Sequence, residues 1–236
     1  MYCAPGFSRT RSEVDRLNIP AHAPLHLLHQ VAVGTLATHA RQPQGYPYPT
    51  VLPFAPDARH RPLILVSQLA EHTRNLHADS RAGFLVVHAP EGDVLNSPRV
   101  TLLGAFEAVE PEPEIVRRYL RYHPDAERYL TLGDFTFWLM SLERIRYIGG
   151  FGAMGWLDAG DLDPLEPLSF EEEAALTEFF DHHPRRGGEL DLAGIDRYGA
   201  DLKIGGHRTR FMFDAPKMDS TTLHAALADC IERHAD

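Results

Sequence analysis

The sequence predicts an α+β fold, a closed and mainly antiparallel β-barrel with two inserted helices, followed by a small C-terminal α/β unit. Three observations lead there. About six strand-like segments lie between residues 31 and 148, mostly joined by short turns. They do not alternate strictly with helices, which sets aside a doubly wound parallel sheet in favour of a barrel. After Trp156 the composition shifts, and LDAGDLDPLEPLS, acidic and proline-containing, reads as a linker.

Residues 1–20 look irregular, and Pro24–Gln30 reads as a short helix. VAVGTLAT (Val31–Thr38) reads as a strand and HARQPQG as a hairpin turn. YPYPTVLPF (Tyr46–Phe54) reads as a second strand, which its three prolines place at an edge. Pro62–Ser67 is a short apolar strand, Leu69–Ala78 a helix, Gly83–His88 a strand and Arg99–Val109 a longer one. Glu112–Tyr122 is a helix whose acidic start and basic end suit the helix dipole. Phe135–Ile148 is a long strand with a break expected near Glu143, ending in Gly149, Gly150, Phe151 and Gly152.

In the C-terminal part, Ser169 and Glu172 carry the capping-box spacing for a helix running to about His182. GADLKIGGHRTRFMF gives two strands around Gly205-Gly206, and Asp219 or Ser220 caps a last helix running to about His234. These boundaries give two domains, 1–160 and 161–236.

A net charge of -10 excludes nucleic-acid binding through general electrostatics. No apolar run approaches the roughly 20 residues of a membrane span. No signal peptide is evident at the N-terminus, so a cytoplasmic location is expected. Cys3 and Cys230 stand at opposite ends and read as free thiols in a reducing compartment.

The stretch that carries most chemistry is SQLAEHTRNL. Ser67, His72, Thr73, Arg74 and Asn75 crowd the start of a helix, where unpaired N–H groups and a partial positive charge suit a phosphate. The same residues also suit simple capping. Arg99 opens an apolar strand and either reaches the surface or meets an anion. Trp156 either lies on a flat ring or packs the barrel mouth. GGFG lacks the dinucleotide-binding spacing. His22, His26 and His29 share a helical spacing interrupted by Pro24, and His182-His183 are adjacent. Neither set has a zinc signature, so no metal site is expected. No catalytic nucleophile or acid–base pair is assigned.

VGTLAT, YPYPTVLPFA, ILVSQLAEHTRNLHADSRAGFLV, RVTLLGAFE and GDFTFW…YIGGFG, in this order, resemble the pyridoxamine 5′-phosphate oxidase-like FMN-binding split-barrel proteins. The nearest branch in resemblance is the haem-utilisation one (HugZ/HutZ-type), to which a small C-terminal α/β domain is often fused. The likeness spans residues from about 30 to 157.

The resemblance implies a split barrel acting as a homodimer, with the cofactor at the subunit interface. It implies FMN with its phosphate held in the segment from Ser67 to Asn75, with Ser67, His72 and Thr73 as donors, and with the strand Tyr48–Leu52, which carries Thr50 and Val51, flanking the ring; Asn75 and Trp156 count as further cofactor-binding candidates. It also implies that Arg99 lies near the cofactor and Asp134 near a haem ligand. Haem-degrading relatives use a histidine after the glycine cluster, and none occurs here between Ala153 and Phe180. His182 and His183 are the first candidates. The expectation is therefore an FMN-dependent oxidoreductase with an unassigned small-molecule substrate. The alternatives are a haem-binding or haem-utilisation protein, and a binding module without catalysis.

Overall fold

The computed structural model describes residues 19, 20, 22–88, 93, 95–150 and 153–234. Cys3, Phe151 and Gly152, which enter the expectations above, lie outside the described residues. The first part of the chain runs α1 (Ala23–Gln30), β1 (Val33–His39), β2 (Pro47–Pro53), β3 (Ala55–Pro56), β4 (Pro62–Ser67), α2 (Glu71–Ala78), β5 (Arg81–Val87), β6 (Arg99–Val109), α3 (Pro113–Tyr122), α4 (Glu127–Leu130), β7 (Phe135–Ile148) and β8 (Met154–Asp158). After it come α5 (Phe170–Asp181), β9 (Leu190–Asp196), β10 (Gly199–Ile204), β11 (His207–Met212) and α6 (Ser220–Arg233).

The first eight strands form one curled antiparallel sheet in the order β2-β1-β5-β6-β7-β4-β3, with β8 paired to β7. It is α+β, as the sequence predicts, but the sheet is a curled half-barrel and not the closed barrel expected, because among the described residues no ladder joins β2 to β3. Alternation sends Leu36, Phe84, Leu102 and Phe106 inward, where they are fully buried with Met140 and Ile145. Phe84 meets Phe54 and Phe106 at ring separations of 5.2 and 6.0 Å. It also lies over β1, where a Cβ on Gly34 would stand 2.3 Å from Phe84 Cε1. Glycine at that position is what lets the ring close onto the strand.

β2 is an edge strand, and its prolines pair with His39, Ala37 and Val33. β7 is bulged where the break was expected. Leu103 faces Arg144 while Gly104 faces Leu142, so Glu143 has no partner in the ladder. β3, β8 and β9 add to the expected strands. β3 has two residues, and β8 runs into the stretch that reads as linker.

β9, β10 and β11 form a separate three-stranded antiparallel sheet in the order β11-β10-β9. Its helices start as the sequence predicts. Ser169 and Glu172 complete a reciprocal capping box on α5, and the Asp219 carboxylate accepts from Thr222 N–H at the start of α6. This layer shares apolar contacts with the barrel. Tyr198 belongs to the barrel core, and Ala193 packs with Tyr119 and Tyr122 of α3. Tyr122 lies so close to β9 that a Cβ on Gly194 would meet its hydroxyl at 2.1 Å. Buried Glu173 of α5 accepts hydrogen bonds from Arg118 and Arg121 of α3.

Two substitutions test these supports. Phe84→Ala removes the ring that three core elements share and is expected to cost about 3–5 kcal/mol in urea unfolding. Glu173→Ala leaves the buried Arg118 guanidinium without its carboxylate and is expected to cost a similar amount, about 3–5 kcal/mol.

Candidate functional site

The outward side of the barrel sheet is a continuous surface whose composition follows from strand register. One row across it reads Val51, Thr35, Leu85, Thr101, Arg146 and Trp156, and the next reads Pro49, Ala37, Gly83, Leu103, Arg144 and Asp158. Where inward positions carry large apolar side chains, β1 and β5 present Thr35, Ala37 and Gly83 outward. This leaves a low, flat surface beside exposed Val51, Leu103 and Met154.

The far side of this surface is cationic. The Arg144 and Arg146 guanidinium carbons stand 4.9 and 5.5 Å from the Trp156 ring centroid. Arg144 Nε also lies 3.6 Å from Asp158. Arg99 starts β6 on the same side of the strand as Thr101, and its Nη1 donates to the carbonyls of Leu95 and Ser97 at 3.2 and 3.3 Å. His39 ends β1 on the same side of the strand as Ala37.

The β4–α2 connection is organised differently from a simple phosphate cradle. Ser67 Oγ donates to the Asp134 carboxylate and accepts from Leu69 N–H at 3.1 Å. Thr73 is fully buried and donates to the Ser67 carbonyl at 2.7 Å. Asn75, also fully buried, donates to Thr38 Oγ1 at 3.0 Å and accepts from Arg41 N–H at 3.3 Å. These bonds use both hydroxyl protons inside the protein and set a carboxylate beside them. His72 is half-buried, and its Nε2 is enclosed with no hydrogen-bond partner. Burial pushes this imidazole below its usual pKa.

The residues expected to surround a ring divide between two surfaces. Val51 lies outward in the row that ends at Trp156, whereas Tyr48 and Thr50 pair with Thr38 and Leu36 on the other side of β2. Trp156 and Arg99 share the outward side of the sheet. His182 and His183 sit at the exposed end of α5. The Glu178 carbonyl lies 2.9 Å from His182 Nδ1, and the His183 ring meets Phe179. Arg144 and Arg146 are absent from the residues expected at the site, although their i, i+2 spacing on a strand is a signal that both point the same way.

A family model described as CREG, beta-barrel matches residues 17–164. The chloroplastic non-canonical heme oxygenase HOZ of Arabidopsis thaliana is 33% identical over 135 residues, which are 56% of this chain and 41% of that protein. The chain thus spans about two-fifths of that curated relative. A heme-binding protein of Mycobacterium smegmatis superposes with a TM-score of 0.55 and 29% identity, covering 91% of this chain and 97% of the other. Atu2129 of Agrobacterium tumefaciens superposes with a TM-score of 0.74 and 22% identity, covering 96% and 100%, a likeness of fold.

Thr73→Val keeps the shape at the helix start and removes the bond to the Ser67 carbonyl. Thermal unfolding is expected to show a loss of about 0.5–1.5 kcal/mol, the net worth of one hydrogen bond, since Ala70 N–H still donates to the Ser67 carbonyl.

Proposed function

The chain belongs to the CREG beta-barrel family, and from that premise and the outward surface of its sheet we propose that it binds haem, as a member of the haem-utilisation branch. The observation that carries this reading is the juxtaposition of Arg99, Arg144, Arg146 and Trp156 with the low Thr35–Ala37–Gly83 surface. A porphyrin is flat, apolar over most of its area, and anionic along one edge. Small side chains admit its plane, Trp156 offers a ring to stack on, and guanidinium groups are the natural partners of two propionates. The likeness to the mycobacterial heme-binding protein over nearly the whole chain supports the same ligand.

The β4–α2 connection supports haem over FMN. A flavin phosphate there needs hydroxyl protons that Ser67 and Thr73 already donate, and it would sit near the Asp134 carboxylate. When bound, haem supplies a redox-active iron. The chain's residues orient it through the propionates and exclude water from one side. A second copy of the chain covers the other side, because exposed Val51, Leu103 and Met154 continue the surface beyond the footprint of one ring. The likeness to HOZ favours haem breakdown over simple carriage.

Titration with haemin tests the reading. A Soret band that saturates at one haem per chain is expected, and Arg99→Gln/Arg144→Gln/Arg146→Gln is expected to weaken binding about 10- to 100-fold through loss of charged hydrogen bonds. His39→Ala and His72→Ala, made separately, identify the iron ligand if one of them shifts the band. Loss of the band under oxygen and a reductant marks breakdown. Flavin bands on FMN addition with no Soret response to haemin would overturn the proposal.

A further inference from the structure

A second constellation lies away from this surface, where α1, the β3–β4 turn and the C-terminal sheet meet. His29 and His60 are 2% and 1% exposed. His29 Nδ1 donates to Asp201 Oδ2 at 2.6 Å, and His60 Nε2 donates to Asp163 Oδ2 at 2.9 Å. Each imidazole therefore uses its outer N–H on a carboxylate. The inner nitrogens, His29 Nε2 and His60 Nδ1, face each other at 2.8 Å. Two neutral imidazoles arranged this way bring lone pair against lone pair, so the gap between them calls for a cation.

A third ligand atom completes the gap. Asp196 Oδ2 lies 3.5 Å from His29 Nε2 and 3.8 Å from His60 Nδ1. A triangle with these sides has its centre about 2 Å from every corner, close to the usual Zn–N and Zn–O lengths. The surroundings match those of a bound metal. Metal-ligating histidines donate their second N–H to a carboxylate, as both do here, and ligating carboxylates are themselves hydrogen-bonded. Arg210 provides that for Asp196, with Nη2 at 2.8 and 2.9 Å from its two oxygens, and holds Asp201 Oδ1 through Nη1 at 2.7 Å. Tyr198 and Tyr122 donate to Asp163 and Asp201. Three carboxylates of this set face the Arg210 guanidinium, with buried Arg208 close enough to act on Asp201, so the set keeps a net negative charge that a divalent cation offsets.

We propose that His29 Nε2, His60 Nδ1 and Asp196 Oδ2 bind one divalent transition-metal ion of the zinc class. Two imidazoles and one carboxylate are a ligand set for Zn²⁺ or Fe²⁺ and a poor one for Mg²⁺ or Ca²⁺. The ion ties α1 and the β3–β4 turn to the end of β9, so it fastens the C-terminal layer to the barrel. The site shares no residue with the proposed haem surface and stands or falls separately.

The test uses the full untagged chain, stripped with a chelator and titrated with Co²⁺ and then Zn²⁺. One equivalent of Co²⁺ with the visible bands of a low-symmetry site is expected, displaced by one equivalent of Zn²⁺, with a rise in Tm. Imidazole ¹⁵N spectra of the unaltered chain should show Zn²⁺ moving His29 Nε2 and His60 Nδ1 together. His60→Gln and Asp196→Asn are expected to weaken binding at least 10-fold. Failure of the unaltered chain to bind Co²⁺ or Zn²⁺, with no ¹⁵N change, overturns the proposal and leaves a shared proton in the gap. Binding that survives in His29→Gln/His60→Gln overturns it as well.

Discussion

Asp201 has no exposed surface, yet it accepts hydrogen bonds from His29, Tyr122 and Arg210, side chains of three separate segments. A buried carboxylate is costly unless its lone pairs are met, and here they are met by α1, by α3 and by the strand next to its own. The arrangement holds only when the barrel and the C-terminal sheet stand in one relation. His29 faces His60 across 2.8 Å, and His60 donates to Asp163 in the segment that joins the two layers. A half-satisfied set would cost more than an apolar one, so the network constrains how the second layer sits on the first.

With that relation held, the barrel sheet has two very different sides. Its inward side is packed with aromatic rings, with Phe84 pressed onto Gly34. Its outward side is not covered by the C-terminal layer, which packs against α1, α3 and the end of the barrel. The arginines of β6 and β7 and the tryptophan of β8 gather on that free side because antiparallel pairing brings positions of equal parity into rows. Chemistry suited to a flat, anionic molecule thus arises from register and not from any contiguous motif.

SQLAEHTRNL shows how far a motif can be read. Its place at the junction of β4 and α2 was legible from the switch between apolar strand and amphipathic helix. What its hydroxyls do was not. Ser67 donates to Asp134, 67 positions further on, and Thr73 turns inward to the Ser67 carbonyl. The first outcome depends on β7 lying beside β4, which pairs Ser67 with Phe135. The expectation of FMN rested on the family resemblance, on those hydroxyls as its phosphate site and on the missing histidine after the glycine cluster. The relatives' likeness and the arginine-bearing surface together favour haem.

By itself the sequence determined the elements and their class. Alternating apolar residues, prolines at an edge strand, a capping box at Ser169 and a Gly-Gly hairpin act over a few residues, and such local signals survive without tertiary context. Even the bulge at Glu143 was visible as an interruption of the strand pattern. Tertiary structure alone decided which distant side chains meet. His29, His60 and Asp196 lie on α1, a turn and β9, and Arg99, Arg144 and Trp156 on three paired strands. Their proximity comes from strand order and layer packing, long-range contacts that leave no spacing in the chain for a pattern to detect.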